Sequence, residues 1–253
     1  MLGLGVGFNK LGGTANPMST PSIIAINEQN IQFDGTNDWA NANAISGSIN
    51  KDTGTISVWV RPLADSATTS VVSIAADDNN MIEILYVGAT QKFRGVYRGG
   101  GSQKTIDSGV VTEAEWVHIV LTWDTTADVV HIYNDYNQTT VSSLDTFSGT
   151  VARVYLGAKA ESGGATDFFK GKMDEIAFLD SVLTPVQIQA VTLNKSIGFI
   201  GLATYPLLDH YYKIDTMPYF SPFTQGIVDI IGTIETTLEN GAVRTITDLL
   251  PPP

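Results

Sequence analysis

Carboxylates dominate the reactive side chains of this chain, which carries 26 Asp and Glu, 3 His and no Cys. Glycoside hydrolysis would need two of them facing one substrate, one to donate a proton and one to attack or activate water. Asp174 and Glu175 are adjacent, so on a regular strand they point to opposite faces and cannot share a ligand. Glu113 and Glu115 fall in a turn ahead of Trp116, where they solvate a strand end. No E-x-D-x-E string occurs anywhere. The absence of cysteine removes thiolate nucleophiles, thiolate metal sites and disulfides. No serine sits in a G-x-S-x-G elbow, and the Gly-rich run 99–102 lacks the lysine and helix of a phosphate-binding loop. His118 and His131 lie inside apolar strand patterns and read as polar packing. These absences point to a chain that is not an enzyme.

Oxygen ligands offer a different chemistry. The segment FDGTNDW places Asp34, Asn37 and Asp38 in one turn after a strand. Asp174, expected on the same strand face as Ile176 and Phe178, would point coreward, and a buried carboxylate needs a partner. Two partners are open: the amides of the Gly35–Asn37 turn, or a structural calcium held by Asp34, Asn37 and Asp174, since calcium takes hard oxygen ligands. A second acidic turn, Asp77-Asp78-Asn79-Asn80, reads either as solvated turn chemistry or as a calcium-dependent ligand site. Carbohydrate binding would need exposed aromatic platforms, and Trp39, Tyr97 and Tyr136 are the candidates because polar turn residues surround them. Trp59, Trp116 and Trp123 lie in apolar strands and are expected in the core.

The elements that must position these groups are short alternating strands with turn clusters every 8–15 residues, the signature of a sandwich. Ile56, Val58 and Val60 alternate with Ser57, Trp59 and Arg61, while Ile82, Ile84 and Tyr86 form a second apolar row. Residues 116–123 are apolar on both faces, as in a central strand covered from both sides. One helix is expected from Thr184 to about Val191, with Thr184 as cap and Pro185 in the first turn, sealing an end of the sandwich. Residues 1–29 read as a Gly-rich arm whose Leu2, Leu4, Val6 and Phe8 share one face of an extended strand, an assembly surface unless the arm is disordered. Residues 30–193 form the sandwich. Residues 194–253 form a C-terminal extension in which Asn240-Gly241, between two β-branched runs, signals a β-hairpin.

Two stretches carry a family resemblance: EWVHIVLTWDTTADVVHIYNDYNQ from Glu115, and FFKGKMDEIAFLDSVLTPVQIQAV ending at Val191. They resemble the laminin-G-like (concanavalin A-like lectin/glucanase, pentraxin-related) domain, with its W-x-H strand, its I-Y-x-D-G hairpin and its F-x-G-x-(I/M)-D-E strand leading into a short helix. The resemblance implies an all-β, two-sheet antiparallel jelly-roll sandwich with one short helix. It also implies a fold that serves binding modules, enzymes and scaffolds alike. Asn134-Asp135-Tyr136-Asn137 departs from the family's Asp-Gly, which puts the tight turn in question and projects Tyr136 into solvent.

With 14 Lys and Arg against 26 Asp and Glu, the net charge is −12, which disfavours nucleic acid as a partner. Lys10 follows the apolar N-terminal run rather than preceding it, unlike a secretory signal, and no run approaches the roughly 20 apolar residues of a membrane span. The tail from Gly198 resembles segments that adjoin laminin-G-like domains in tailed-phage virion proteins. The expectation is therefore a virion structural protein of a tailed phage (capsid decoration, fibre or tail component). It would contact other virion proteins or copies of itself and, through its jelly roll, host-surface glycan. The alternative is a non-catalytic carbohydrate-binding or adhesion module of a bacterial surface protein, placed at the cell surface rather than on a virion.

Overall fold

The computed structural model describes residues 30–195, 208–212, 226–228 and 235–245. The arm residues Leu2, Leu4, Val6 and Phe8 lie outside the described residues. In chain order the strands begin β1 (Asn30–Asp34), β2 (Trp39–Asn41), β3 (Thr53–Pro62), β4 (Thr68–Asp77), β5 (Asn80–Val87), β6 (Lys92–Gly99) and β7 (Ser102–Val110). They continue with β8 (Val117–Asp124), β9 (Val129–Asn134), β10 (Asn137–Ser142), β11 (Arg153–Leu156), β12 (Lys159–Glu161), β13 (Gly164–Thr166) and β14 (Lys170–Leu179). One helix, α1 (Pro185–Asn194), precedes β15 (Leu208–Tyr212), β16 (Gly226–Val228), β17 (Glu235–Glu239) and β18 (Val243–Thr245).

Two antiparallel sheets face each other. The first runs β10-β9-β8-β3-β14-β1-β18, with β15 also on β14, and the second runs β16-β17-β2-β11-β4-β5-β6-β7. Ile56, Val58 and Val60 of β3 meet Ile82, Ile84 and Tyr86 of β5 in one core between them. This is the all-β jelly roll expected from the alternating pattern, and β8, buried on both faces between β3 and β9, is an interior strand of the first sheet.

The helix starts as its sequence dictates. Gln187 N donates to Thr184 Oγ1 (3.4 Å) and Thr184 N donates to Gln187 Oε1 (2.7 Å), a reciprocal cap that satisfies two free amides. Its place differs from the expectation: Leu183, Ile188 and Val191 pack on Val120, Tyr133, Ala177 and Leu179, so it covers the outer face of the first sheet rather than an end. Beneath it His118 is wholly buried. Thr192 Oγ1 donates to the Ile188 carbonyl (2.9 Å), leaving its lone pairs for His118 Nδ1 (2.7 Å). Ser57 Oγ then donates to Nε2 (2.8 Å), which fixes a neutral imidazole stacked on Trp59. Burial lowers its pKa to about 3.

The Asn240-Gly241 turn forms, but its flanking strands do not pair with each other. β17 joins β2 in one sheet and β18 joins β1 in the other, so residues 235–245 make an arch across the sandwich. Leu238 and Ala242 sit in the main core, and that inward burial holds the two strands apart.

Candidate functional site

Asp34, Asn37 and Asp174 do not come together. Asp34 pairs with Lys170 in the β1–β14 register, whereas Asp174 lies four residues further along β14. At strand rise that is about 13 Å, far beyond ligands that calcium holds at roughly 2.5 Å. Asp34 Oδ1 instead accepts from the amides of Thr36 (2.7 Å) and Asn37 (3.4 Å) of its own turn. The expected face of Asp174 is also wrong. β14 has a bulge between Asp174 and Ala177, with Glu175 at φ 49°, so Ile176 and Phe178 face the core while Asp174 pairs with Trp59 on the outer face. Among the described residues no group of three or more His, Cys, Asp or Glu could hold a metal ion.

The aromatic candidates are dispersed. Trp39 is half-buried and leans on Tyr155, ring centroids 4.2 Å apart. Tyr136 is 54% exposed at the β9–β10 turn, which forms without glycine because Asp135 takes φ 56° and its carboxylate accepts from His118 N (3.2 Å). Tyr97 is no surface platform: it is 1% exposed, its ring packed against Phe147 at 6.2 Å. The acidic turn 77–80 is turn chemistry. Asp77 Oδ1 accepts from Asn79 N (2.8 Å) and Asn80 Nδ2 (2.9 Å), while Asp78 accepts from Ser162 and Arg153. These hydrogen bonds, led in each case by the side-chain donor (Asn80 for Asp77, Ser162 for Asp78), hold both carboxyls below the usual carboxylate range.

A concave site lies instead at the end of the sandwich where β8 turns into β9. A cleft of about 260 Å³ is lined by Asp52, Thr125, Leu144, Asp145, Thr146 and Phe147. Three loops build it, and each is fixed by side chains from elsewhere. Trp123 Nε1 donates to Asn50 O (3.2 Å) and Thr125 N donates to Asp52 O (2.8 Å), tying the loop before β3 to the β8–β9 turn. Asp128 accepts from Ser143 N (3.2 Å) and Leu144 N (2.7 Å). Asn80 Oδ1 accepts from Ser148 N (2.8 Å), Ser148 Oγ (3.3 Å) and Gly100 N (3.0 Å). Residues 145–147 are thus spanned between two anchors and pressed onto the end of β6, where a Cβ on Gly99 would collide with the Asp145 carbonyl.

Chemically the cleft offers hydrogen-bond acceptors beside the half-buried Leu144, while Phe147, 2% exposed, closes its floor. Asp52 and Asp145 contribute carboxylates whose side chains are 58% and 46% exposed. Lys51 Nζ lies 2.7 Å from Asp52 and Lys104 Nζ 3.9 Å from Asp145. The lining residues come from three separate loops with no motif spacing, which leaves little sign of them in the sequence. The local signals are Asn50 and Asp124, each opening a turn whose backbone amides it accepts.

The described residues include no helix long and apolar enough to cross a membrane. The family described as the concanavalin A-like lectin/glucanases superfamily matches residues 34–189, more than half of the 253-residue chain. No curated protein sequence matches. Among solved structures, the native heptameric SAP-like pentraxin of Limulus polyphemus is similar at TM-score 0.55 and 17% identity, over 69% of this chain and 86% of that one. A Bacteroides ovatus protein whose name proposes carbohydrate binding aligns at TM-score 0.61 and 16% identity, over 86% of this chain and 59% of its own. The Ruminococcus gnavus IT-sialidase CBM40 bound to alpha2,3 sialyllactose aligns at 0.56 and 16%, over 65% and 97%.

Proposed function

Because the chain belongs to the concanavalin A-like lectin/glucanase superfamily, we propose that it is a non-catalytic glycan-binding module whose site is the cleft at the β8–β9 end of the sandwich. The observation that carries this reading is the cleft itself: two carboxylates and two threonines beside Leu144 and Phe147, held by anchored loops in a space of about 260 Å³. Two structural neighbours, one named for a proposed carbohydrate-binding role and one bound to sialyllactose, support the ligand class.

Catalysis is disfavoured by the same geometry. A general acid is a carboxyl shielded from water so that it keeps its proton, and Asp52 and Asp145 are about half exposed beside lysines. Burial, the dominant cause, does raise Glu83 to about 7, but Glu83 lies on the outer face of the second sheet, hydrogen-bonded to Ser73, outside the cleft lining.

The test is a glycan array read with the full chain and with Asp52→Ala and Asp145→Ala. Binding that either substitution removes supports the module and its site. An array with no signal at any concentration, or one unaffected by both substitutions, overturns it.

For the setting, our reading stays with a virion structural protein of a tailed phage that displays this module, the bacterial cell surface being the alternative. It is supported by the acidic, cysteine-free composition and by the alternating apolar spacing of Leu2, Leu4, Val6 and Phe8, which would meet copies of itself or other virion proteins. Light scattering on the full chain and on one lacking residues 1–20 tests it. A defined oligomer that dissociates on truncation is expected, and a monomer in both forms overturns it.

A further inference from the structure

We infer that the β12–β13 hairpin is a strap, closed over the outer face of the second sheet while Glu83 holds its proton and lifted when Glu83 ionises. The strap shares no residue with the cleft lining, and its action does not depend on what the cleft binds.

The hairpin is built to move as a unit. β12 and β13 pair with each other, Lys159 with Thr166 and Glu161 with Gly164, and join neither large sheet. Its base is pinned: Gly157 N donates to Val71 O (2.8 Å), Phe169 N to Gly157 O (2.9 Å) and Ser70 N to Asp167 O (2.7 Å). Beyond the base, Ala160 N donates to Ser73 Oγ (3.1 Å) and Ser162 N to Asp78 Oδ1 (2.7 Å), while Ser162 Oγ donates to the same carboxylate. Its apolar contacts are small, Ala160 and Ala165 against Ala75, Met81, Tyr155 and Trp39. Little burial and few hydrogen bonds place such a unit at the low end of local stability.

Glu83 lies beneath it. Ser73 and Glu83 are register partners across β4 and β5, so both point to the outer face, and the Ala160 bond to Ser73 sets β12 over them. Glu83 is 2% exposed, and the hydrogen bond to its carboxyl comes from Ser73 Oγ at 3.3 Å. A buried carboxylate is held in its ionised form by several good donors, and one long bond falls short of that. The charges that face it are Lys159 from the strap, Arg98 from β6 and Asp167 beyond β13. Lys159 Nζ is committed to Glu161 (2.6 Å) and Asp167 (3.9 Å), and Arg98 donates to the Asp78 carbonyl (2.8 Å) and to Gln103. Asp167 opposes ionisation outright. Burial therefore outweighs the two cations and raises Glu83 to about 7, against 4.5 in water. Lifting the strap returns the carboxyl to water. Closure is thus at full strength below 4.5 and weakens as pH climbs to 7, by on the order of a hundredfold in the open-to-closed ratio.

The experiment is amide hydrogen exchange on the full chain at pH 4 and pH 8, each rate referred to that of an unstructured chain at the same pH. The Ala160 and Ser162 amides should lose about a hundredfold in protection at pH 8, and low urea should not change them, because local lifting exposes little surface. Glu83→Gln should abolish the pH dependence. Ser162→Ala leaves Glu83 in place, so Ala160 should keep its pH dependence while losing protection several-fold at both pH values. Equal protection at pH 4 and pH 8 in the parent overturns the strap, as does an unchanged pH dependence in Glu83→Gln. If Ala160 shares the urea dependence of Ile84 and Val120, the hairpin leaves only when the whole sandwich unfolds, which also overturns it. Unaltered Ala160 protection in Ser162→Ala would do the same, since a strap must answer to the loss of its clasp.

Discussion

A Cβ placed on Gly241 would come within 2.8 Å of Asp38 Oδ1, so the turn of the C-terminal arch lies directly on the β1–β2 turn. Both turns cross from one sheet to the other. Asp38 stitches its own turn through Asp34 N, which donates to Oδ2 (3.0 Å), and burial, the larger cause, raises its carboxyl above the usual range. The strands follow suit: β18 lies on β1 and β17 on β2. The arch is therefore a layer of the sandwich, with Leu238 and Ala242 in the main core.

Gly241→Ala tests that layer. Gly241 has φ 126°, a conformation that L side chains rarely adopt, and its new methyl would crowd Asp38. The substitution should destabilise by about 1–3 kcal/mol in urea titration. In an Asp38→Ala background the loss should shrink, because the crowding partner is gone. Equal losses in both backgrounds would show that the two turns do not touch.

Glu83 makes stability depend on pH in a definite direction. Its folded pKa, raised to about 7 by burial against the partial relief of Lys159, Arg98 and Ser73, stands above the 4.5 of a solvated glutamate. Below about 4.5 both states hold the proton, and Glu83 contributes no difference. As pH rises toward 7 the unfolded chain ionises first, so stability falls and then levels once the folded form ionises too. Glu83→Gln keeps an acceptor for Ser73 Oγ, which donates to Oε1 at 3.3 Å. It should leave stability unchanged at pH 4 and raise it by about 1–3 kcal/mol at pH 8. A variant that is less stable than the parent at pH 8 would mean the ionised carboxylate is favourably held.

His118 acts with the opposite sign. Its folded pKa, about 3, is depressed by burial below the 6.5 of a solvated imidazole, so its contribution is complete above 6.5 and is lost as pH falls toward 3. Thermal midpoints should therefore drop through that window. His118→Gln should flatten this part of the profile while lowering stability at pH 7, since Ser57 and Thr192 lose a shaped partner. A profile with the same acid slope in the variant assigns the loss to other groups.

Period-two alternation made β3 and β5 readable from sequence, and an apolar run on both faces made β8 so, because each strand's faces are set by its own residues. The Thr184-Pro185 start was readable for the same reason, its cap being closed by Gln187 three residues on. What escaped depends on distant chain. The bulge at Asp174 leaves no mark in Lys-Met-Asp-Glu-Ile, yet it turns Asp174 to the outer face of its sheet. Asn240-Gly241 specifies a turn, while the choice between hairpin and arch is made by β1 and β2, some two hundred residues earlier. The cleft was the least legible part, because Asp52, Thr125 and Asp145 meet only when three loops are anchored together.

Asn80 shows how far that anchoring reaches. Its Oδ1 accepts from Gly100 N, Ser148 N and Ser148 Oγ, while its Nδ2 donates to Asp77, and the side chain is 3% exposed. Asn80→Ala would strand two backbone donors in partly buried positions, a loss of about 2–4 kcal/mol by the usual penalty for each. The loop 143–148 would then be tied only at the end that Asp128 holds, so the cleft wall at Asp145 and Phe147 would loosen. Affinity for a cleft ligand should fall further than in Asn79→Ala, since no hydrogen bond from the Asn79 side chain holds this wall. If Asn80→Ala lowers stability but binds a cleft ligand with unchanged affinity, the wall is held by Gly99 and Asp128 alone, and the cleft does not depend on the β4–β5 turn.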